Sequence, residues 1–472
     1  NHGILRLHTM TLQENVATSP ADPAIGPTGG GGGILSSRDG TLTMDGSQVI
    51  GNSAYQGGGI AAYPNATTSS PRSQVEILDT LISGNSATSS GGGLYLYVSV
   101  TVTLTNVEIS DNTAASDSGN GIWNGSTLNM QNVHINGNHG GIYGGGIYNY
   151  FAGNITAYNL LIENNLTRFG GGIYNTGQAG IYQSAIVNNQ VERGEGGGIF
   201  NTGTDSDLII DNSTLSGNQA AGLVNDGMLG IYFSTVANNT GFGLKTNAPS
   251  TLVNSILAGN LEGDCDGYPV LAMSNIESSE NTCGFIDPSN LVNTDPLLLP
   301  LGLYGGTTPI HPLDIGSPAI DSAALDGCTG TDQHGTLRPQ GPRCDRGSYE
   351  HSAMGGGSGL EPSPTPTSSP TPGPTVTLQP TLTPLSSGFG VPAASQDHFY
   401  YGKGACLPTT LTLQVSFSGP SQVSDMLLFF RLKDKVGGGT TPWNEGVVMS
   451  PLGAGNYEYN LASTSIPGYA SY

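Results

Sequence analysis

The residues of this 472-residue chain that could do chemistry are few and widely spaced. Two short acidic pairs, Asp205-x-Asp207 and Asp264-x-Asp266, offer carboxylates close enough to share a Ca²⁺ ion or to divide acid and base roles. The same pairs also fit solvated loops. His134 and His139 are near in sequence, but strand alternation sends them to different faces or to a corner. The first 300 residues carry only Arg6, Arg38, Arg72, Arg168, Arg193 and Lys245 as permanent cations, one per stretch. A polysaccharide lyase or glycoside hydrolase groups carboxylates, and in lyases a basic side chain, on one surface. No such grouping is visible. The leading expectation is therefore a non-enzymatic protein, with polysaccharide cleavage as the alternative. No cofactor is expected, Ca²⁺ being the one ion the acid pairs could take.

A row of aromatic residues is the second chemical feature. Trp123, Tyr148, Tyr174 and Phe200 each follow an apolar residue and precede an asparagine: Asn124, Asn149, Asn175 and Asn201. Alternation puts the apolar residue and the asparagine on one face and the aromatic ring on the other. The rings would then form an outward ladder, one per repeat. Such a ladder serves either as cross-strand stacking or as a stripe that binds glycans or packs subunits.

The elements that would hold these residues are set by a repeat. Gly-Gly-Gly-Ile or its variant recurs, with the apolar anchor at 34, 60, 94, 122, 147, 173, 199, 223 and 244, mostly 21 to 28 residues apart. A second phrase runs in phase, ending in Asn15, Asn52, Asn85, Asn112, Asn138, Asn165, Asn189, Asn218, Asn239 and Asn260. Between them lie short alternating stretches such as Thr101–Ile109, rich in β-branched residues. A fixed period of this length signals a solenoid. Strands without room for a crossover helix signal a parallel β-helix of about ten coils, rising about 4.8 Å per coil. Stacked asparagines at one corner would satisfy buried amides. Glycine, at 73 residues, suits corners that need left-handed backbone.

Beyond Asn260 the cysteines begin. Their spacing predicts two local disulfides, Cys265–Cys283 and Cys328–Cys344, with Cys406 left over, which implies an oxidising setting. Residues 295–350 carry Asp295-Pro-Leu, Gly316-Ser-Pro-Ala-Ile-Asp321, Asp332-Gln-His-Gly335, Arg338-Pro339 and Cys344-Asp-Arg-Gly-Ser-Tyr-Glu350. This string, with the repeats before it, resembles bacterial choice-of-anchor Q surface proteins, and more loosely the polymorphic outer-membrane-protein repeats. The resemblance covers about residues 1–350. It implies a secreted right-handed β-helix shown at the cell surface, with no defined catalytic activity. The motif is expected to cap the open end of the helix. A pectate-lyase-like β-helix remains the alternative.

The organisation read from this is a β-helix over 1–264, disulfide-stapled coils and cap over 265–355, and a Gly/Pro/Thr-rich linker over 356–386. A small antiparallel sandwich of immunoglobulin or fibronectin type follows over 387–472. It is marked by Leu411, Leu413, Val415 and Phe417 and by Trp443, and looks incomplete. The strand-like start at Leu5 and the absence of an initiator Met suggest a piece of a longer protein. Formal charge is −22. That argues against nucleic acid and anionic membranes as partners, and no span of about 20 apolar residues is present. Glycosylation sequons fall at Asn65, Asn124, Asn154, Asn165, Asn212 and Asn238. The expected role is an extracellular adhesin or fibre subunit that self-associates or binds glycans.

Overall fold

A computed structural model describes residues 3–17, 30–37, 40–64, 74–324, 328 and 330–351. In the C-terminal part it describes the backbone of strands at 388–389, 393–394, 410–418, 427–428, 447–448, 450–453 and 456–462. The chain divides into two compact units, 1–368 and 369–472. Among the described residues no helix is long and apolar enough to cross a membrane.

The first unit is a parallel β-helix. One coil shows the plan: Thr101–Thr105 lies on a first face, Glu108–Ser110 on a second, Thr113–Ala114 at a corner and Ile122–Asn124 on a third. Each strand pairs in parallel with its counterpart one coil on, Thr101 with Thr127, Glu108 with His134, Thr113 with His139 and Ile122 with Ile147. The described strands make sheets of eleven, eleven, six and ten members. Alternation sends Val102, Leu104, Ile109 and Ile122 inward, where all are fully buried. Thr101, Thr103 and Thr105 point outward on the first face. Corners are turned by short polar residues in the left-handed region, such as Asn106 (φ 54°) and Asp111 (φ 56°).

The glycine phrase has a steric origin. Gly91 has φ +66°, and a Cβ there would lie 2.5 Å from the Leu94 carbonyl oxygen. At Gly92 a Cβ would meet the backbone of the next coil, 2.4 Å from the Asn120 oxygen. The corner is closed by backbone lying directly on backbone.

The asparagine phrase forms a buried ladder. Asn85 Nδ2 donates to Asn112 Oδ1 at 2.9 Å, Asn112 to Asn138 at 2.9 Å and Asn138 to Asn165 at 2.9 Å. The ladder begins at Asn15, which donates to Asn52 at 2.8 Å, and runs to Asn260, whose Nδ2 donates to Asp264 Oδ1 at 2.8 Å. Asp264 ends it. Its other oxygen accepts from the amides and hydroxyls of Ser278 and Ser279. A second interior ladder runs Asn124–Asn149–Asn175–Asn201–Asn225 at 2.7–2.8 Å.

The cysteines are joined as Cys265–Cys283 and Cys328–Cys344. Cys265, Cys283 and Phe285 pack into the main interior core and close that end of it. The motif segment expected as the cap lies elsewhere. Residues 295–324 and 330–351 run along the outside of the second face, bonding to Asn159, Gln183, Thr214, Thr235, Asn254 and Asn275. The reason is the outward side chains of that face. From Ala185 onward they are Ala, Val, Thr, Ser and Ile, and Ile256, Ala258 and Ile276 bury against Leu313 and Ala319 of the clasp. At its centre Arg338 is buried, bonded to Glu350 at 2.9 Å and set over the Phe233 ring.

The described strands of the second unit are antiparallel, with Thr410–Ser418 paired to Asn456–Ala462. Trp443, which the sandwich expectation named, and Cys406, the cysteine left over, lie outside the described residues.

Candidate functional site

The aromatic row becomes a patterned surface on the third face. Register places Leu94-Tyr95-Leu96 beside Ile122-Trp123-Asn124, and then Ile147-Tyr148-Asn149, Ile173-Tyr174-Asn175 and Ile199-Phe200-Asn201. Tyr95 thus extends the row by one coil, a residue the sequence pattern had not included. Successive rings stack, with centroids 4.5 Å apart for Tyr95–Trp123, 6.3 Å for Trp123–Tyr148, 5.6 Å for Tyr148–Tyr174 and 5.3 Å for Tyr174–Phe200. Ring planes differ by only 15–27°. The rings face one another along the stack, as offset stacking favours.

Two flanking columns turn this seam into a cleft. Two residues after the central position (Ala61, Tyr95, Trp123, Tyr148) come Tyr63, Tyr97, Gly125 and Tyr150, which occupy equivalent positions in consecutive coils. Gly125 matters because a Cβ there would lie 2.9 Å from the Trp123 ring. Its missing side chain leaves room for the indole between Tyr97 and Tyr150, at 6.4 and 5.2 Å between centroids. On the other flank stand Gln56, Ser90 and Ser118, followed by Tyr143 and Phe169, again in equivalent positions. Where that flank is small and polar a cleft of about 250 Å³ opens, lined by Tyr95, Tyr97, Trp123, Tyr148, Tyr150 and Asp117 with Gln56, Ser90, Val98 and Ser118.

Among the described residues, Asp117 is the one carboxylate in the lining of the cleft. Asp117 Oδ1 accepts from the Ser118 hydroxyl at 2.9 Å and Oδ2 from the Ser90 hydroxyl at 2.9 Å. Tyr63 donates its hydroxyl to Gln56 at 2.9 Å. Burial raises the Tyr63 and Tyr95 phenols well above their ordinary value and also raises that of Tyr148, and nearby Asp117 adds to the effect at Tyr95 and Tyr148. Burial likewise pushes Tyr174 up to about 12. The phenols of Tyr63, Tyr95, Tyr148 and Tyr174 are therefore neutral hydrogen-bonding groups near pH 7. Trp123 is only 7% exposed, while Tyr97 is 39% exposed and stands at the rim.

The other expected residues are scattered. Asp205 is exposed in a turn, and Asp207 lies on the first face in register with Gln178. Asp264 is buried with both oxygens taken by the ladder and the two serines, so its reading as a Ca²⁺ ligand is corrected: the carboxylate is a structural terminus. Asp266 is exposed. Among the described residues no three His, Cys, Asp or Glu side chains are grouped to hold a metal. His134 pairs instead with the buried Glu163 at 2.9 Å, and His139 sits apart at the corner. Of the sequons, Asn124 and Asn165 are interior ladder residues, which removes them as glycosylation sites. Asn154 and Asn238 are exposed, Asn212 is half-buried, and Asn65 lies outside the described residues.

Parallel coils, asparagine ladders and an outer aromatic face define the class: a right-handed parallel β-helix. In keeping with it, residues 69–240 match the family model described as right-handed β-helix region. No curated protein matches the chain. Among solved structures, the crystal structure of pectate lyase Pel9A is similar at 12% identity, with a TM-score of 0.38 over 74% of this chain and 97% of that one. That likeness is too distant to bear on chemistry.

Proposed function

We propose that this chain is a non-catalytic, glycan-binding β-helix of the bacterial cell exterior, in the manner of the choice-of-anchor Q surface proteins it resembles. The observation that carries this reading is the aromatic cleft around Trp123. Sugar rings carry apolar C–H faces and polar rims, and a site that combines aromatic walls with a few fixed polar groups suits them. Gln56, Asp117 and the phenols of Tyr97 and Tyr150 supply those polar groups. Binding rather than cleavage is favoured by the single carboxylate, which already accepts two hydroxyls and has no second acid beside it in the lining. Two disulfides accord with an oxidising exterior. The test is a glycan array probed with the intact chain and with Tyr97→Ala and Trp123→Ala. Retention of a selective signal by the parent and its loss in both variants supports the reading; equal signals from all three would remove it.

A second reading, self-association into a fibre or surface layer, draws on a different observation. Tyr268, Val270, Leu271 and Met273, on and just before the last strand of the first face, are exposed along an unpaired edge. Sedimentation across a hundredfold range of concentration tests it: an invariant monomer speaks against assembly.

A further inference from the structure

We propose that Tyr158 and Tyr182 form an oxidative modification site: one-electron oxidation joins their rings as dityrosine and staples two neighbouring coils on the first face. The inference is independent of the glycan-binding reading.

Register brings the pair together. Asn154–Tyr158 and Gln178–Tyr182 are parallel partners in adjacent coils, with Tyr158 opposite Tyr182. Alternation turns Ile155, Ala157, Ala179 and Ile181 into the core and sends both tyrosines outward. Their rings stack at 4.8 Å between centroids, with planes 18° apart. Gly180 helps to set that geometry. A Cβ there would lie 2.7 Å from both Cε2 and the hydroxyl oxygen of Tyr182, so the missing side chain lets the ring lie back along its own strand. Burial raises the Tyr182 phenol, and Tyr158 is the next cause, as expected where two hydroxyl ends lie side by side.

Other tyrosine pairs lack part of this arrangement. Tyr148 and Tyr174 are parallel at 5.6 Å, but Tyr143 and Tyr150 hem them into the seam of the third face. Tyr63 and Tyr97 are tilted by 40°. Tyr158, by contrast, is 41% exposed, so an oxidant can reach its ring. In its column Gln131 precedes the pair, and Asp211 follows it and separates Tyr182 from Tyr232.

Stacking suits the chemistry. A peroxidase-generated oxidant takes one electron and one proton from each phenol, leaving two phenoxyl radicals with spin on the ring carbons beside the oxygen-bearing carbon, Cε1 and Cε2. Facing rings join two of these carbons directly, because the new Cε–Cε bond first forms across the gap between the planes. Each joined carbon then releases its hydrogen as a proton and each oxygen takes one up, which restores both phenols. Hydrogen peroxide is the oxidant overall and leaves as two waters. The fold replaces a chance encounter of two radicals with an intramolecular step. The two disulfides accord with an oxidising setting.

The experiment treats the full chain, at low concentration, with a haem peroxidase and hydrogen peroxide. Dityrosine fluorescence is read on the monomer fraction, and mass mapping of a digest locates the link. The expected product is an intrachain link between Tyr158 and Tyr182, with the chain lighter by two hydrogen atoms. Tyr158→Phe and Tyr182→Phe should each lower the monomer fluorescence at least about fivefold, while Tyr148→Phe leaves it unchanged. Each variant keeps its ring, and a parent-like melt checks that the fold is kept. The linked parent should melt higher than the untreated chain, because the link closes a short loop between coils. Monomer fluorescence that survives both Tyr158→Phe and Tyr182→Phe, or a link mapped to other tyrosines, would overturn the inference. So would dityrosine confined to linked dimers, which would assign the chemistry to contacts between chains. A linked chain that melts no higher than the parent would overturn the stapling.

Discussion

At the scale of single residues, the interior asparagines carry more than their size suggests. Asn138 Oδ1 accepts from both the backbone and side-chain amides of Asn112, while its own amide reaches the Ile109 carbonyl and Asn165. Asn138→Ala strands several buried groups at once, and each costs about 1–3 kcal/mol. A loss of about 3 kcal/mol or more in the denaturation free energy is expected; a loss under about 1 kcal/mol would show the ladder to be incidental. The clasp holds a pH-sensitive pair of a different kind. Burial raises Asp345 to about 7, with Glu350 adding to it and Arg338 opposing it. Its folded form binds a proton more tightly than the unfolded chain does, so its stabilising contribution is complete at low pH and is lost as pH rises through about 7. Burial lowers His311, which is held between Ser216 and the Leu299 carbonyl. Its contribution is present above the ordinary histidine range and is lost as pH falls through it. Asp345 should therefore make stability fall as pH rises from the ordinary carboxylate range through about 7, offset in part by His311 just below the ordinary histidine value, with no further slope from either group above that. Asp345→Asn should remove that fall in thermal melts across the acidic range. Parent and variant melts with the same slope there would contradict this.

At the scale of elements, the glycine corner and the third face were legible in different degrees. The Gly-Gly-Gly-Ile phrase marks the corner because in the intact copies three successive positions leave no room for a side chain, as at Gly91, Gly92 and Gly93, while degenerate coils such as that of Asn120 admit one at the middle position. Gly92→Ala should cost about 3 kcal/mol or more, since its Cβ would meet three backbone atoms of the neighbouring coil at 2.4–2.6 Å; a variant as stable as the parent would refute the steric account. Trp123, Tyr148, Tyr174 and Phe200 were legible because each stands between an apolar anchor and an asparagine. Tyr95 was not, because Leu96 replaces the asparagine in its coil. The cleft itself was hidden for a deeper reason. Its parts come from three successive coils, Ser90 from one, Asp117 and Gly125 from the next and Tyr150 from the third, and Gly125 acts through the side chain it lacks. No window of sequence holds that arrangement; register assembles it.

At the scale of the whole molecule, periodicity announced a solenoid and its strand content announced a β-helix. Such a stack is stabilised coil by coil, so its ends and its uncovered faces decide where it opens. The sequence could not show where residues 295–351 lie. Their prolines and Asp/Arg pairs suit an end cap equally well, and only the apolar outward residues from Ala185 onward, spread over five coils, call for a lateral cover. The disulfide at Cys265–Cys283, by contrast, does close the interior. Its loop is near the length for which a crosslink contributes about 3 kcal/mol, so the double Cys→Ser variant should lose that much and begin to unfold at this end. Hydrogen exchange would show early loss of protection at Ile256–Glu277; protection unchanged there would place the weak point elsewhere.

The most direct test of the central claim uses the chain's two tryptophans, Trp123 and Trp443. In ¹⁵N-labelled protein each gives one indole N–H resonance, and Trp123→Phe assigns them. On titration with the oligosaccharide that the array selects, the Trp123 indole resonance should move and saturate while that of Trp443 stays in place. A Trp123 resonance that does not move while the sugar is demonstrably bound would contradict the account, because the glycan would then sit somewhere other than the aromatic cleft.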